Sequence, residues 1–565
     1  MIANVSQKPI LLPLISILTL CLIFFILFTG PISDGDCFWH LATGRWIAAH
    51  NTLPVSDFLS FTVADHNPFR PESQRIAFLL KQYWLGQLAL FGTWQLFGSA
   101  GIVLLRAVVY TGILALLFFW MRRHNKGILP LCLTLLVGLL LREIPNERPQ
   151  LFSLAFTPLL LFLLEIGADL AWPRRLALFG LPLLMLAWSN IHGAYILGVG
   201  LIVLAVAPDL IKNIACKRAI DLPFTVSAFC AILVTVVNPA GLLVWKEFIH
   251  SDSSYIASIY ENLSPWFAAV RLHDWHPAYW AYLCICLVVI LRRWRSMERK
   301  HLLILTGLCF FSLSALRYLV FPLLAAPYLV RYLPDINWRP RYLVAVSIAA
   351  ALWVGASWDN HLLEFRPRSS FPQAATEFLM LQRPAPQLFN HYDWGGYISW
   401  FAPGVKTFID GRGLVEEISL LQDRTMNGEA WQETLDRYGI NTVIIPGMSE
   451  TSGTVYPLAG LLASAGAWRL VFADAVALVF VRNSEANELI IARHGLDAKA
   501  LQVHLIQMAD RLIIESPARE EYWQTKANAL QLLGDQLGAR AAYRRVLEIN
   551  PGNEWAKRML AIRGN

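Results

Sequence analysis

Asp34 and Asp36 flank a single glycine in SDGDCFWHLATGRW, residues 33–46, directly after the first long apolar run of the chain. A carboxylate is costly in hydrocarbon and much less so near the interface. Two acids at the mouth of a span are therefore either solvated punctuation or the working end of a site. Paired acids suit oxygen-seeking cations such as Mg2+ or Mn2+, although no spacing here specifies a metal clamp. Asp34 is also placed to cap a helix that starts near Cys37, and both readings stand at this level.

Other polar residues recur in short connectors: His40 in the same stretch, Arg142, Glu147 and Arg148 in REIPNERPQ (142–150), Asn190 and His192 in SNIHG (189–193), and Arg317 in SALRYLVF (314–321). Arg142 with Glu143 also reads as an interface pair, and His192 before Gly193 as a satisfied helix-junction histidine. Arg317, between two apolar runs, needs an anion or a carbonyl as partner. Acids, arginines and histidines on several connectors of one side point to a cavity opening toward that side.

The elements that must carry these residues follow from composition. Of the 565 residues, 56% are hydrophobic and 15% charged, and the mean hydropathy is +0.47. Soluble domains are nearer roughly a quarter charged, so this is the composition of a multi-spanning membrane protein. The 21 Trp and 31 Phe suit aromatic belts. The net charge of +7 does not indicate a nucleic-acid partner, because its basic residues fall in short loops between apolar runs. Lys8 precedes an apolar run over 10–28 with no small-residue cleavage site after it, which reads as an uncleaved anchor. Cys284 and Cys286 lie in one apolar span, at a spacing that suits neither a disulfide nor a metal clamp, so they read as small buried hydrophobes.

Further apolar runs cover 78–97, 100–121, 127–142, 150–166, 175–190, 192–211, 219–238, 277–292, 300–316, 317–333 and 341–358. Basic connectors such as RRWRSMERK (292–300) and RYLPDINWRPR (331–341) all face one side if 78–97, with its Lys81, glutamines and aromatics, lies along the interface. The expectation is a polytopic α-helical protein of about eleven spans, with its N-terminus inside and its C-terminal region outside. The segment 31–77 then forms the first outer loop of a transmembrane domain, 1–358. Residues 359–486 read as a small outer α/β domain: TVIIP (442–446) and VALVFVR (476–482) as strands, FNHYDWGGYISWF and TFIDGRG as turn-bearing stretches before them. Residues 487–565 read as helices. Trp523, Ala527, Leu530, Gly534, Ala539, Tyr543 and Pro551 match the tetratricopeptide pattern, and a plain helical hairpin is the alternative.

This organisation resembles the GT-C superfamily of membrane glycosyltransferases. DGDCFWHLATGRWIAAHNTLPVSDFLSFT, ERPQLFS, WSNIHGAYILG, VNPAGL and FNHYDWGGYISW with KTFIDGRG are similar to an uncharacterised bacterial GT-C-like group across most of 30–480. Where that group carries a His-Glu-Trp-like stretch, this chain has KQYWLGQ at 81–87, so an acid that would favour a metal there is absent.

The resemblance implies a multi-pass protein of the bacterial cytoplasmic (inner) membrane. On its outer side it would move a sugar from a polyprenyl-phosphate donor, held among membrane lipids, to an acceptor hydroxyl. In that reading Asp36 is the base and Asp34 the second acid. Arg317 and Arg148 receive the phosphate, and Glu147, His192, Asn190, Arg142 and His40 complete the substrate-binding set. Asp34 and Asp36 would also hold Mg2+ or Mn2+ if one is used. Two rival readings are a non-enzymatic assembly factor acting through its outer and repeat-like domains, and an arginine-based glycan polymerase or ligase. The repeat-like unit is the expected docking place for a protein partner or acceptor.

Overall fold

The computed structural model describes residues 11–64, 72–142, 144, 146–168, 174–245, 260–272, 274–336, 345, 348–349, 366–497 and 499–561. The chain divides into two compact units, one of residues 1–53 and 77–367, the other of 54–76 and 368–565. The loop after the first apolar run thus contributes to both.

The first unit is helical. Among the described residues three helices are long and apolar enough to cross a membrane, Trp84–His124, Gln150–Gly167 and Tyr195–Ala215, with shorter apolar helices at Leu18–Leu27, Leu129–Arg142 and Leu222–Val236. Among the described residues eleven full-length spans are not seen. One reason is visible at 317–333, which forms short turns of helix at Leu316–Tyr318, Phe321–Leu324 and Ala326–Val330. Pro322 and Pro327 each open one of these turns, where a missing N–H costs nothing, and so prevent a continuous helix. The broken backbone is tolerated because Phe321 through Val330 are all buried in protein. The segment 78–97 is shared between the helix Glu72–Gln82 and the start of Trp84–His124. The latter is interrupted only at Gly98, whose φ of 61° suits glycine. The last expected span, 341–358, lies almost wholly outside the described residues.

The core of this unit runs through Tyr110, Leu117, Leu164, Trp188, Tyr282 and Leu324. A polar cluster also belongs to this unit: Glu165 accepts from Lys300 at 2.6 Å, Arg331 at 2.6 Å and His301 at 3.2 Å. Two basic connectors thus meet on Glu165, which belongs to the helix Gln150–Ala168, and on their own Glu298, 3.2 Å from Arg331.

The second unit holds a four-stranded sheet in the order β1-β2-β4-β3, with β1 Leu388–Asn390, β2 Thr442–Ile445, β3 Trp468–Ala473 and β4 Leu478–Arg482. β1 and β2 are parallel, while β4 runs antiparallel to both β2 and β3. Asn390, at the end of β1, accepts the Phe408 N–H at 2.8 Å and donates to Ile409 O at 2.8 Å. A Cβ at Gly395 would stand 2.1 Å from Ile409 O, so only glycine lets the two strand-following stretches touch. Within FIDGRG, the buried Arg412 binds Asp410 at 2.7 Å and reaches Asp57 at 2.8 Å. Asp57 also accepts the Ser60 N–H at 3.0 Å. Its partners hold its carboxyl below the usual range against the opposing effect of burial.

The helices Lys499–Glu515, Glu520–Leu533 and Gln536–Ile549 follow. Trp523, Ala527, Leu530, Ala539 and Tyr543 pack in one cluster, and Gly534 turns between two of the helices at φ 88°. These helices bind the sheet's loops directly. Gly447 N–H donates to His504 Nε2 at 2.9 Å, and Thr525 Oγ1 donates to Gly453 O at 3.0 Å.

Candidate active site

The helix Asp36–His50 and the residues just before it present the two acids. Asp36 lies in its first turn, where the exposed amides favour negative charge, and Asp34 Oδ1 accepts the Asp36 N–H at 3.1 Å. Asp34 thus tends the helix start while its other oxygen faces Arg148. Gly44 lets this helix lie against Trp84–His124, since a Cβ there would be 2.3 Å from Gln87 O.

Arg148 is the centre of the cluster. Its Nε is 2.9 Å from Asp34 Oδ2, its Nη1 2.6 Å from Asp36 Oδ2, and its Nη2 2.8 Å from Glu261 Oε2. Glu261 reaches Arg317 with its other oxygen. Four stretches far apart in sequence, at 34–36, 148, 261 and 317, converge on one set of ion pairs.

Arg148 is placed by its neighbour. Glu147 is wholly buried and paired with Arg106, which also donates to Phe28 O at 3.0 Å and Gly30 O at 2.9 Å. Glu147 accepts the Asp34 N–H at 3.2 Å as well. The Arg106–Glu147 pair therefore ties the end of the first apolar helix to the connector that carries Arg148. Gly86 adds a close approach, since a Cβ there would lie 2.9 Å from both Pro149 Cβ and Ile191 O.

The other residues singled out from sequence fall in two groups. His192 stands beside the cluster. Its Nδ1 accepts the Ala194 N–H at 3.2 Å and lies 2.9 Å from Ser153 Oγ, which itself accepts from Trp188 Nε1 at 2.8 Å. That arrangement assigns the proton to Nε2. Burial, then Arg317 and Arg148, lower its pKa to about 3, so the ring is neutral. His40 is buried with its Nδ1 3.3 Å from Gln87 Nε2, and Tyr83 lies between the two histidines, 5.3 Å from one ring and 5.5 Å from the other. Asn190 serves the backbone, donating to Leu186 O and Val237 O and accepting from Trp84 Nε1 at 3.0 Å. Arg142 is exposed at the end of the helix Leu129–Arg142.

Burial raises Asp34 to about 6 and Asp36 to about 7, against the opposing pull of Arg148 on each. Asp36 retains 24% side-chain exposure, whereas Asp34 has 10%. Asp36 is the more exposed of the two, and a carboxyl with a pKa of about 7 can exchange its proton near neutrality.

The donor set as arranged serves an internal cation rather than a metal. Oxygens of Asp34, Asp36 and Glu261 all turn onto the Arg148 guanidinium. Among the described residues no group of three or more His, Cys, Asp or Glu is disposed to hold a metal ion.

Arg106 and Glu261 were missed in the sequence. Arg106 carried a usable signal, as the lone charge in GIVLLRAVVYTG (101–112), because an ionisable residue inside an apolar run marks a functional or positioning role by default. Glu261 lies in a long polar loop with no local pattern to distinguish it.

No family model matches the chain, and no curated protein does. Among solved structures it is similar to the oligosaccharyltransferase of Archaeoglobus fulgidus in the apo form. That match has 10% identity, covers 86% of this chain and 76% of the other, and has a TM-score of 0.48. The same archaeal enzyme in complex with Zn and sulfate matches at 11% identity, over 94% of this chain and 85% of the other, with a TM-score of 0.44.

Proposed function

We propose that the protein is a membrane glycosyltransferase that moves a sugar from a polyprenyl-phosphate donor to an acceptor hydroxyl on the outer face of the cytoplasmic membrane. The observation that carries this reading is the convergence of Asp36, Arg148 and Arg317 in one cluster. It supplies a partly exposed carboxylate beside two guanidinium groups.

The chemistry divides between them. Asp36 takes the proton of the acceptor hydroxyl as its oxygen bonds to the anomeric carbon. The bond from that carbon to the phosphate oxygen breaks, and the electron pair leaves with the phosphate. Arg148 and Arg317 receive the charge that develops there, since a planar guanidinium matches two phosphate oxygens at once. Asp34 holds the helix start and keeps Arg148 in register, and the Arg106–Glu147 pair positions both. His192, neutral, offers its Nε2–H as a hydrogen-bond donor and adds no charge.

Transfer of a labelled sugar from a polyprenyl-phosphate donor, measured with purified protein in proteoliposomes, tests this. Asp36→Asn keeps size and hydrogen bonding and is expected to lower transfer by roughly a hundredfold or more with donor binding retained. Arg317→Lys is expected to weaken donor binding, because an ammonium cannot reproduce the guanidinium fork. An arginine-based polymerase or ligase would keep the effect at Arg317 and lose the effect at Asp36, so full transfer by Asp36→Asn would overturn the assignment of the base.

A further inference from the structure

The two arginines assigned to the donor phosphate are not idle in the free protein. Glu261 bridges them, with Oε2 at 2.8 Å from Arg148 Nη2 and Oε1 on Arg317 Nη2. One O–C–O group joining two guanidinium groups is how two oxygens of a phosphate would be received. The bridge also leaves Arg317 incompletely served, since its buried Nε has no hydrogen-bond partner.

The backbone that presents Glu261 is fixed beside Arg317. Leu316 N–H donates to Leu263 O at 2.8 Å, and the turn Tyr260–Asn262 lies against Leu316–Tyr318. The Glu261 side chain keeps 32% exposure, so it can swing to water without moving that backbone. Charge count gives it a reason to leave. Arg148 and Arg317 already face Asp34, Asp36 and Glu261, and a phosphate added to all three would set four acidic groups against two guanidinium groups.

We propose that Glu261 is an internal placeholder, its carboxylate occupying the seat of the donor phosphate in the free protein and leaving when that phosphate arrives. This rests on the function proposed above. The placeholder keeps both arginines paired and in place while the seat is empty. Its cost is affinity, because the donor binds only the fraction of molecules in which Glu261 has swung away.

The test uses the full-length protein in detergent, with farnesyl phosphate and inorganic phosphate as probes and calorimetric titration as the readout. Glu261→Gln removes the charge that competes for the seat and is expected to bind both probes about tenfold more tightly. Farnesyl phosphate should be the stronger of the two in every variant if an apolar chain is also held. Glu261→Asp, one methylene shorter, cannot span both arginines and should fall between the wild type and Glu261→Gln. It also serves if Glu261→Gln does not fold. Weaker or unchanged binding in these Glu261 variants overturns the placeholder. Unchanged binding of both probes in Arg317→Ala would instead overturn the phosphate seat, and with it the proposed function, so the two failures are distinguishable.

Discussion

Arg148 balances three carboxylates at once, but burial outweighs its pull on Asp34 and Asp36 and sets the acid–base behaviour of the site. Burial holds Asp34 at about 6 and Asp36 at about 7, so the pair keeps a proton until the pH enters that range. If Asp36 is the base, kcat/KM for transfer should rise with pH through an apparent value of about 6–7, and that limb should vanish in Asp36→Asn; a flat profile in the wild type would count against it. The same shift acts on stability with a definite sign. The folded-state values lie above the unfolded value of 3.8, so the contribution of these two acids is fully present below pH 3.8 and is lost as the pH rises through 6 to 7. Much of this site was legible from residue type alone. Asp34, Asp36, Arg148 and Arg317 are charged residues at the ends of apolar runs, where a charge needs a reason. Glu261 was not, because its partners lie more than fifty positions away on either side and no short-range pattern marks it.

Glycines decide how closely the elements that carry the site approach one another. The helix Asp36–His50 rests on Trp84–His124 through Gly44, with Gln87 O at 2.3 Å and Phe91 Cβ at 2.7 Å from the place a Cβ would take. Gly44→Ala must push the helix away and carry Asp36 with it. We expect a loss of about 1–3 kcal/mol in stability and a larger proportional loss in transfer than in phosphate binding. The measurement is thermal unfolding together with the transfer and titration assays, and wild-type values in all three would refute the contact. FNHYDWGGYISW and FIDGRG read in sequence as neighbouring turns, which is what their glycines show. That Asn390 bonds Phe408 and Ile409, and that Gly395 is small because Ile409 O approaches it, depends on a pairing that local pattern does not contain. Pro322 and Pro327 break the run 317–333 into short turns, whereas its apolar length alone reads as a span.

At the scale of the whole chain, composition and periodicity carried the class: a helical, apolar unit and a mixed unit with a sheet and terminal helices. The count of spans was less accessible, because an apolar run records burial and does not distinguish lipid from protein as its surroundings. The terminal helices also do more than their pattern announces. His504 and Thr525 bind Gly447 and Gly453, and Tyr522 donates to Glu450 O. Removing 499–561 should therefore leave the helical unit folded but expose 447–455 to limited proteolysis; equal resistance in the truncated and full-length proteins would make the terminal helices an independent module. The central claim is that a lipid phosphate is received between Arg148 and Arg317 with Asp36 alongside. Cryo-electron microscopy of the full-length protein in lipid nanodiscs with saturating farnesyl phosphate addresses it most directly. Density for the phosphate is expected on both guanidinium groups, with the Glu261 carboxylate displaced from between them. Ordered phosphate density elsewhere, with the Arg148–Glu261–Arg317 bridge intact, would contradict it.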